Sequence, residues 1–283
     1  MSWKLKHLVV GTDYSESSKG AVGEALRLAR VHDCEATVVN VVLASKGSSA
    51  DLAPMKAFLA GFDTANLRVE GVARVGNKVA LALAEAADEC SADLLCVGPR
   101  AHGFMEKHVL GGVAEQLMSR TSLPTLATAG PADGGYRRVL VAVEPTEAAA
   151  RALTIGAALV EAGHPSSRLS VFHCVTARGV STFTSGELEA LEVALVADAR
   201  QRILEFVQGA LPNADALIEQ NLLTIDVRVG IFGDQFPRFV DEIEPDLVCM
   251  GTVGRRGLVG LLAGNAAERM VRTLTTPLLV AHP

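Results

Sequence analysis

Short apolar runs alternate with segments of helical period along the whole chain. In the first half, five such runs predict β-strands at 8–11, 36–42, 67–74, 93–98 and 124–129. Between the first two, segment 15–33 has Ala21, Ala25 and Leu28 at helical spacing, which predicts a helix capped by Ser15 or Ser17. The second half repeats this order, with runs at 139–143, 168–175, 222–229, 246–251 and 277–282. Near-continuous apolar strands between helices are typical of a parallel sheet covered on both faces.

The two halves are copies of one unit. HLVVGTDYSES at 7–17 aligns with RVLVAVEPTEA, which starts 131 positions later, whereas 111–129 aligns with 264–282, which is 153 positions later. The second copy therefore holds about 22 extra residues. They fit the long helical segment 186–211, whose counterpart in the first copy, 50–62, is much shorter. The turn-rich stretch 130–135 predicts a linker, with domains at 1–131 and 136–283. We expect an α/β protein of two tandem, doubly wound, open parallel-sheet units.

Composition narrows the partners that this protein could have. A chain of 283 residues is long enough for two domains with their own cores. Its formal net charge of -6 lacks the basic surplus of nucleic-acid binders, and its aromatic content of 4% offers few stacking side chains. We therefore predict no nucleic-acid partner.

Targeting and cysteine patterns favour an intracellular protein. The apolar run near the N-terminus is too short for a signal peptide, and no apolar stretch approaches the ~20 residues of a membrane span. The five cysteines lack CxxC spacing, so neither a disulfide framework nor a zinc site is predicted. We expect a cytoplasmic protein with no membrane contact and no metal site.

Ligands of open α/β sheets bind beyond the carboxyl ends of the strands. In the two copies these ends carry an acidic residue after the first strand, a Val-Gly pair after the third, and a glycine loop after the fourth. The candidates are Asp13, Val75, Gly76 and Gly98 in the first copy, and Glu144, Val229, Gly230 and Gly251 in the second. Asp13 also suits a turn-stabilising role, and Glu144, which precedes Pro145, suits a helix start.

The second-copy loop has the glycines that close approach of a phosphate would need. Gly251, Gly254 and Gly264 leave gaps of two and nine residues, Arg255 supplies a charge, and Asn265 follows the last glycine. No Walker A or GxGxxG motif is present. Asn265 with Glu268 also matches a helix capping box, and Arg255 also suits a solvated loop, so structural roles remain alternatives.

No catalytic constellation emerges from the sequence. The seven histidines show no metal-ligand spacing, and no serine, threonine or cysteine has a recognisable base placed for nucleophilic catalysis. Cys96 and Cys249 occupy matching strand positions, where a buried small side chain is expected. We predict no catalytic residues and a non-enzymatic protein.

At these residues the sequence resembles the universal stress protein family. Its nucleotide-binding members have Gly, two residues, Gly, nine residues and then Gly with Ser or Thr, and Gly251, Gly254 and Gly264 match that spacing. Asn265 departs from it. The resemblance spans essentially the whole chain as a tandem pair and is strongest to the universal stress protein E class.

The resemblance implies a stress-response protein that acts by binding or interaction, with an unknown protein partner. The final strands of the two units should pair as a pseudo-dimer, and a homodimer of the tandem chain is the implied assembly. An alternative is a nucleotide switch, with ATP or AMP in the C-terminal unit on Asp13 or Glu144, the glycines and Asn265; weak ATPase activity is another. The N-terminal unit is predicted to be empty, because Ala101 and Gly112 replace the middle glycine and the hydroxyl residue. An apolar ligand near Met55, Phe58, Leu59 and Phe62 is a further alternative to simple core packing there.

Overall fold

The first repeat folds into alternating strands and helices. The computed structural model describes residues 3–44, 49–98, 112–128, 130, 135–161, 163–176, 185–252 and 275–283, with 185–190 as backbone alone. The first repeat contains β1 (His7–Thr12), α1 (Glu16–His32), β2 (Glu35–Leu43), α2 (Ala53–Leu59), β3 (Arg68–Gly76), α3 (Val79–Glu89), β4 (Leu94–Val97), α4 (Gly112–Arg120) and β5 (Thr125–Ala127). Of the two predicted caps, Ser15 is the one observed: its side chain accepts a hydrogen bond from the Ser18 N–H and satisfies one free donor of α1.

The second repeat follows the same plan with a longer middle. It contains β6 (Arg138–Ala142), α5 (Glu147–Leu159), β7 (Arg168–Val175), α6 (Ser185–Ala210), α7 (Ala214–Glu219), β8 (Leu223–Val229), α8 (Phe232–Ile243), β9 (Leu247–Gly251) and β10 (Leu278–Ala281). The helix α6 has 26 residues, whereas α2 has 7. The extra residues of the second copy therefore lie largely where the repeat alignment predicts them.

The ten strands form one sheet within the described residues. Their order is β3-β2-β1-β4-β5-β10-β9-β6-β7-β8, and every neighbouring pair is parallel except β5 with β10. This arrangement confirms two doubly wound parallel units packed as a pseudo-dimer through their final strands. The domain limits at 131 and 136 remain a prediction.

The seam between the units is the antiparallel pair β5–β10. Leu278 lies opposite Ala127, and Val280 lies opposite Thr125. The N–H groups of Val248 and Thr252 donate to the carbonyls of Pro277 and Ala281, which turns the odd-numbered residues of β10 toward β9. The backbone groups of Leu278 and Val280 therefore face β5. Pairing at the seam removes an exposed edge from each unit.

Helices cover the two faces of the sheet. One face, called here the α1 face, is packed by α1, α2, α5 and α6, and the opposite α3 face is packed by α3, α4 and α8. Successive residues of a strand enter different layers, so Cys249 lies on the α1 face and Met250 on the α3 face. Met55 is buried on the α1 face against β3, which supports core packing for its apolar neighbours.

An aspartate at the start of the fourth strand fixes each unit in the same way. The Asp93 carboxylate accepts hydrogen bonds from the N–H groups of Lys6 and His7 at 2.8 and 3.0 Å. In the second unit the Asp246 carboxylate accepts from Arg137 and Arg138 at 3.0 and 2.9 Å. The aspartate of the repeated Asp-Leu-x-Cys motif thus joins the fourth strand to the start of the first strand.

The units also meet through a buried ion pair next to a tyrosine. Glu24 of α1 is fully buried, and Arg27 donates two hydrogen bonds to its carboxylate at 2.7 and 2.9 Å. The Arg27 guanidinium lies 5.1 Å from the ring centroid of Tyr136 in the second unit. This contact desolvates Arg27 against an aromatic face and ties α1 to the start of the second sheet.

Candidate functional site

Each unit has a crevice where its strand order reverses. The reversal lies between β1 and β4 in the first unit and between β6 and β9 in the second. Chains leaving these strands depart to opposite faces, which opens a gap at their carboxyl ends. Asp13 follows β1, Glu144 follows β6, and Gly251 ends β9. The topology therefore brings the predicted acidic residue and the start of the glycine loop to one crevice in the second unit.

In the first crevice, Asp13 is engaged by its own turn. Its carboxylate accepts hydrogen bonds from the backbone N–H and the hydroxyl of Ser15. Burial raises the pKa of Asp13, but the hydrogen bonds from Ser15 and Ser18 outweigh burial, so the net pKa lies below its ordinary value. These contacts match the turn-stabilising alternative for Asp13. The next residue, Tyr14, has a φ of 64° and packs its ring 5.3 Å from that of Phe58.

In the second crevice, the Glu144 side chain is exposed. Its backbone carbonyl accepts from the Thr146 N–H at 2.6 Å, and Thr146 caps α5 through the Ala149 N–H. The helix start thus depends on Thr146 and not on the Glu144 carboxylate, for which the described residues supply no hydrogen bond or ion pair.

A side chain of the second strand holds the turn in both crevices. Asn40 of β2 donates to the carbonyl of Thr12 at 2.9 Å, and His173 of β7 donates through Nδ1 to the carbonyl of Val143 at 2.8 Å. Thr12 and Val143 directly precede the two acidic residues. This role could not be predicted from the sequence, because the two repeats have different residues, asparagine and histidine, at the matching positions of the ladder.

The fourth strand of each unit ends against the first helix. A Cβ built on Gly251 would lie 2.3 Å from the backbone nitrogen of Ala149 in α5. At Gly98 the matching Cβ would lie 3.0 Å from the carbonyl oxygen of Ser17. Glycine at these positions lets the strand end reach the helix N-terminus, where free N–H groups favour anions.

The Val-Gly pairs lie at the ends of the two edge strands, β3 and β8, which are two strands away from β1 and β6. The sequence pattern predicted that Val75 and Gly76 follow the third strand. In the structure they are the last two residues of β3 itself. Val229 ends β8, and Gly230 has a φ of 145°, with its N–H bonded to the Val175 carbonyl. Its carbonyl accepts from the Cys174 thiol at 3.3 Å. Gly230 is needed for this backbone conformation, and its contact with a ligand remains a prediction.

Four predicted site residues lie outside the described residues. These are Gly254, Arg255, Gly264 and Asn265. Their roles, including the choice between phosphate contact and helix capping for Asn265, remain predictions.

Sequence reasoning missed two buried polar side chains at the end of the second sheet. Thr252 follows β9, His282 follows β10, and their relative exposures are 0% and 7%. Thr252 Oγ1 and His282 Nε2 have no hydrogen-bond partner in the described structure. Burial lowers the pKa of His282, the charge of Arg151 lowers it further, and the Met118 backbone opposes both. A buried uncharged imidazole therefore stands at the seam between the units.

Acidification should destabilise the protein through this histidine. The folded-state pKa of His282 lies below the ordinary value of 6.5, so below that value the unfolded chain binds a proton more readily. The contribution of His282 is complete above pH 6.5 and is lost as the pH falls through the folded pKa. Urea unfolding between pH 7.5 and 5 should show a shallower loss for His282→Gln than for the unchanged chain. His32, whose pKa is also lowered by burial, titrates in both proteins, and equal slopes would disprove the role of His282.

Metal and thiol chemistry find little support in the part of the chain that the structure describes. No group of three or more His, Cys, Asp or Glu side chains is placed to hold a metal ion there. The five cysteines are free thiols, and burial raises the pKa values of Cys96 and Cys249. Within the same residues, no helix combines the length and the apolarity needed to cross a bilayer.

Comparison with known proteins explains the duplicated fold. The model of the universal stress protein family matches residues 4–128 and again 135–282. The chain belongs to the universal stress protein family. It is a tandem member, with one family domain in each half.

Relatives of this universal stress protein are similar over different spans. A universal stress protein of Mycolicibacterium smegmatis is 24% identical over 316 aligned residues, which cover 98% of this chain and 97% of the relative. The universal stress protein E homolog of Haemophilus influenzae is 44% identical over 57 residues, only 20% of this chain and 18% of the relative. Because the second match spans only about a fifth of either protein, it indicates a relationship and supports no statement about activity.

Solved structures share the tandem fold. A universal stress protein of Archaeoglobus fulgidus is 17% identical, covers 99% of both chains and gives a TM-score of 0.64. The functionally unknown protein PA1789 of Pseudomonas aeruginosa is 18% identical, covers 99% of this chain and 93% of that one, and gives a TM-score of 0.69. At these identities the likeness shows the fold alone.

Proposed function

We propose that this universal stress protein acts in the stress response by binding, and that its second unit holds an adenine nucleotide, ATP or AMP. One observation carries the proposal. In the second crevice Glu144, whose side chain is exposed, follows β6, and the neighbouring strand β9 ends at Gly251 against the N-terminus of α5. A carboxylate suits the hydroxyl groups of a ribose, and a helix N-terminus with glycine backbone suits phosphate.

The first crevice is the poorer site. The Asp13 carboxylate already accepts hydrogen bonds from Ser15, and the Tyr14 ring is packed on Phe58. A ligand would have to compete with both contacts. The proposed division of labour is a second unit that binds and a first unit that supports it through the β5–β10 seam.

The proposed function requires no catalytic step. Binding of nucleotide in the second crevice would alter the surface that a protein partner contacts. The partner would therefore bind the nucleotide-bound and the nucleotide-free protein differently. We infer a cytoplasmic protein and a homodimer of the tandem chain, as its resemblance to the family implies.

Matched removal of the two acidic side chains tests the site. We expect Glu144→Ala to weaken ATP binding about tenfold, the effect of losing a hydrogen bond to a charged group. Asp13→Ala should leave ATP affinity unchanged and lower thermal stability, because its carboxylate fixes the turn before α1. Isothermal titration of nucleotide-stripped full chains measures both affinities.

The opposite effects of the two substitutions would contradict a site in the second unit. ATP affinity lost in Asp13→Ala and kept in Glu144→Ala would assign the nucleotide to the first unit. A chain that carries no nucleotide by mass spectrometry when purified, and that ignores added ATP and AMP, would refute nucleotide binding and leave protein interaction as the function.

A further inference from the structure

The two outer edges of the sheet differ in how they are covered. β3 is the outermost strand of the first unit, and β8 is the outermost strand of the second. The 26-residue helix α6 packs on β8, and its Arg200 donates a hydrogen bond to the Ile225 carbonyl at 3.0 Å. β3 is packed by α2, which has only seven residues. The longer middle of the second repeat therefore caps part of an edge that the first repeat leaves open.

The outward side of β3 carries a row of backbone groups without partners among the described residues. The register of β2 with β3 runs unbroken over nine residue pairs. The Ala44 N–H donates to the Gly76 carbonyl, so Gly76 and every second residue before it face β2. The N–H and C=O groups that point away from the sheet are those of Val69, Gly71, Ala73 and Val75.

The strand β3 lacks two common protections of a sheet edge. Edge strands of native proteins often carry a proline or a bulge, because a free edge pairs readily with another strand. β3 has no proline, its register shows no bulge, and none of its nine residues is buried. One ladder of this strand is formed with β2, and a second ladder is available on its other side.

The sequence of β3 is complementary to itself in one antiparallel register. When two copies pair about Val72, Glu70 of each copy lies opposite Arg74 of the other, and Val69 lies opposite Val75. The outward-facing residues then meet one another and can exchange hydrogen bonds. Glu70 and Arg74 occupy a non-hydrogen-bonded pair, in which opposite side chains are closest.

The neighbouring registers lack this complementarity. Outward-facing residues must meet outward-facing residues, so the two-fold axis passes through a residue and not between two. Centring the pair on Gly71 would place Arg68 opposite Arg74, which are like charges. Centring it on Ala73 would place Arg74 opposite the apolar Val72. The charges therefore favour the register centred on Val72.

The charged side chains of β3 are placed for this contact. Val72 packs on the α3 face, and because side chains alternate along a strand, Glu70 and Arg74 share that face. Arg74 already forms an ion pair with Glu89 of α3. Glu70 is exposed and has no ion pair within the described part of the chain. Glu70 of a second copy would bring another carboxylate to Arg74, whose guanidinium has five donors.

We propose that two copies of this protein pair antiparallel through β3, about a two-fold axis at Val72, and join their sheets into one. The occupant of the edge is a second copy of this chain, because the strand complements its own charges. The inference rests on the homodimer proposed above and names its surface. Such an interface uses the same strand of both copies, so the assembly closes at two chains.

Proline at outward-facing positions tests the edge. Sedimentation velocity over a dilution series of the full chain should show a dimer in equilibrium with its monomer. Ala73→Pro removes an outward N–H and leaves the ladder with β2 intact, so its dissociation constant should rise at least about tenfold. Val227→Pro makes the same change on the β8 edge and should leave the dimer unchanged.

Charge exchange tests the register. Glu70→Arg and Arg74→Glu each place like charges opposite each other at two symmetric points. Each variant alone should dimerise at least about tenfold more weakly than the unchanged chain. An equimolar mixture restores both opposite-charge pairs, so heterodimers should form more tightly than either homodimer. Damage to the individual variants cannot produce this rescue. Glu192→Arg, the same charge change on an exposed residue of α6, should have no effect.

The outcomes separate the interface from the homodimer. If the unchanged chain is dimeric and Ala73→Pro and Glu70→Arg dimerise as tightly, β3 is not the interface and the homodimer stands. If the mixture gives no rescue, the register about Val72 is wrong. If the unchanged chain is monomeric throughout the dilution series, the homodimer fails and the interface fails with it.

Two controls keep the test independent of folding and of nucleotide binding. Circular dichroism of each variant checks its fold, and Glu70→Arg alters only an exposed side chain, so it tests the interface even if Ala73→Pro does not fold. ATP affinity should be the same in all variants, because β3 belongs to the first unit.

Discussion

Replacing Val280 with proline is expected to break the sheet at its centre. Val280 is fully buried in β10, and its backbone groups face Thr125 of β5. Proline removes the donor of that pair and places its ring against the neighbouring strand. We expect a loss of at least about 1–3 kcal/mol in the free energy of unfolding, the cost of leaving the buried Thr125 carbonyl without its donor. The two units should also lose their fixed arrangement, which urea unfolding and small-angle scattering would show together.

An edge strand provides the control. In β8, Gly230 donates to the Val175 carbonyl, and because bonding residues alternate along a strand, the Val227 N–H points away from β7. Val227→Pro should therefore cost much less than Val280→Pro and leave the scattering profile compact. Equal losses, or an unchanged profile for Val280→Pro, would show that helix contacts and not the β5–β10 pair hold the units together.

The repeat and the hydrophobic period were sufficient to predict the architecture. Strand runs such as 36–42 and 277–282 are long enough to be identified individually, and the duplicated order fixes two units. The strand limits shift by a residue or two, as at Gly76, because strand ends depend on ladder bonds with neighbours. The seam itself came from resemblance, since hydrophobicity alone does not say which buried strands meet.

Less of the candidate site than of the fold could be predicted from the sequence, because strand register determines which side chains become neighbours. Asp13 and Glu144 could be predicted because each directly follows a recognisable strand. Thr252 and His282 are 30 positions apart and become neighbours only through the register of β9 and β10. The turn-holding roles of Asn40 and His173 depend equally on register. Residues that a ladder brings together share no local signal along the chain.

Gly251→Ala is the second substitution expected to have a large effect. The added Cβ would lie 2.3 Å from the Ala149 nitrogen and 2.4 Å from the Ala148 carbonyl carbon. Both are backbone atoms of the first turn of α5, so no side-chain rotation relieves the clash, and strand or helix must shift. We expect the upper end of the cost of overpacking, about 3 kcal/mol, in urea unfolding. ATP binding should fall as well, because the same shift separates Glu144 from the end of β9.

Gly209→Ala is the matched control for this change. Gly209 lies within α6 and has open space where a Cβ would stand, so alanine should be neutral or should stabilise by up to about 1 kcal/mol. ATP affinity should stay unchanged. The Gly251→Ala protein could be destabilised and still bind ATP as tightly as the unchanged chain. That result would show that Gly251 is needed for packing and not for ATP binding. The nucleotide would then have to be held away from the β9–α5 contact, and the crevice proposed for the second unit would be wrong.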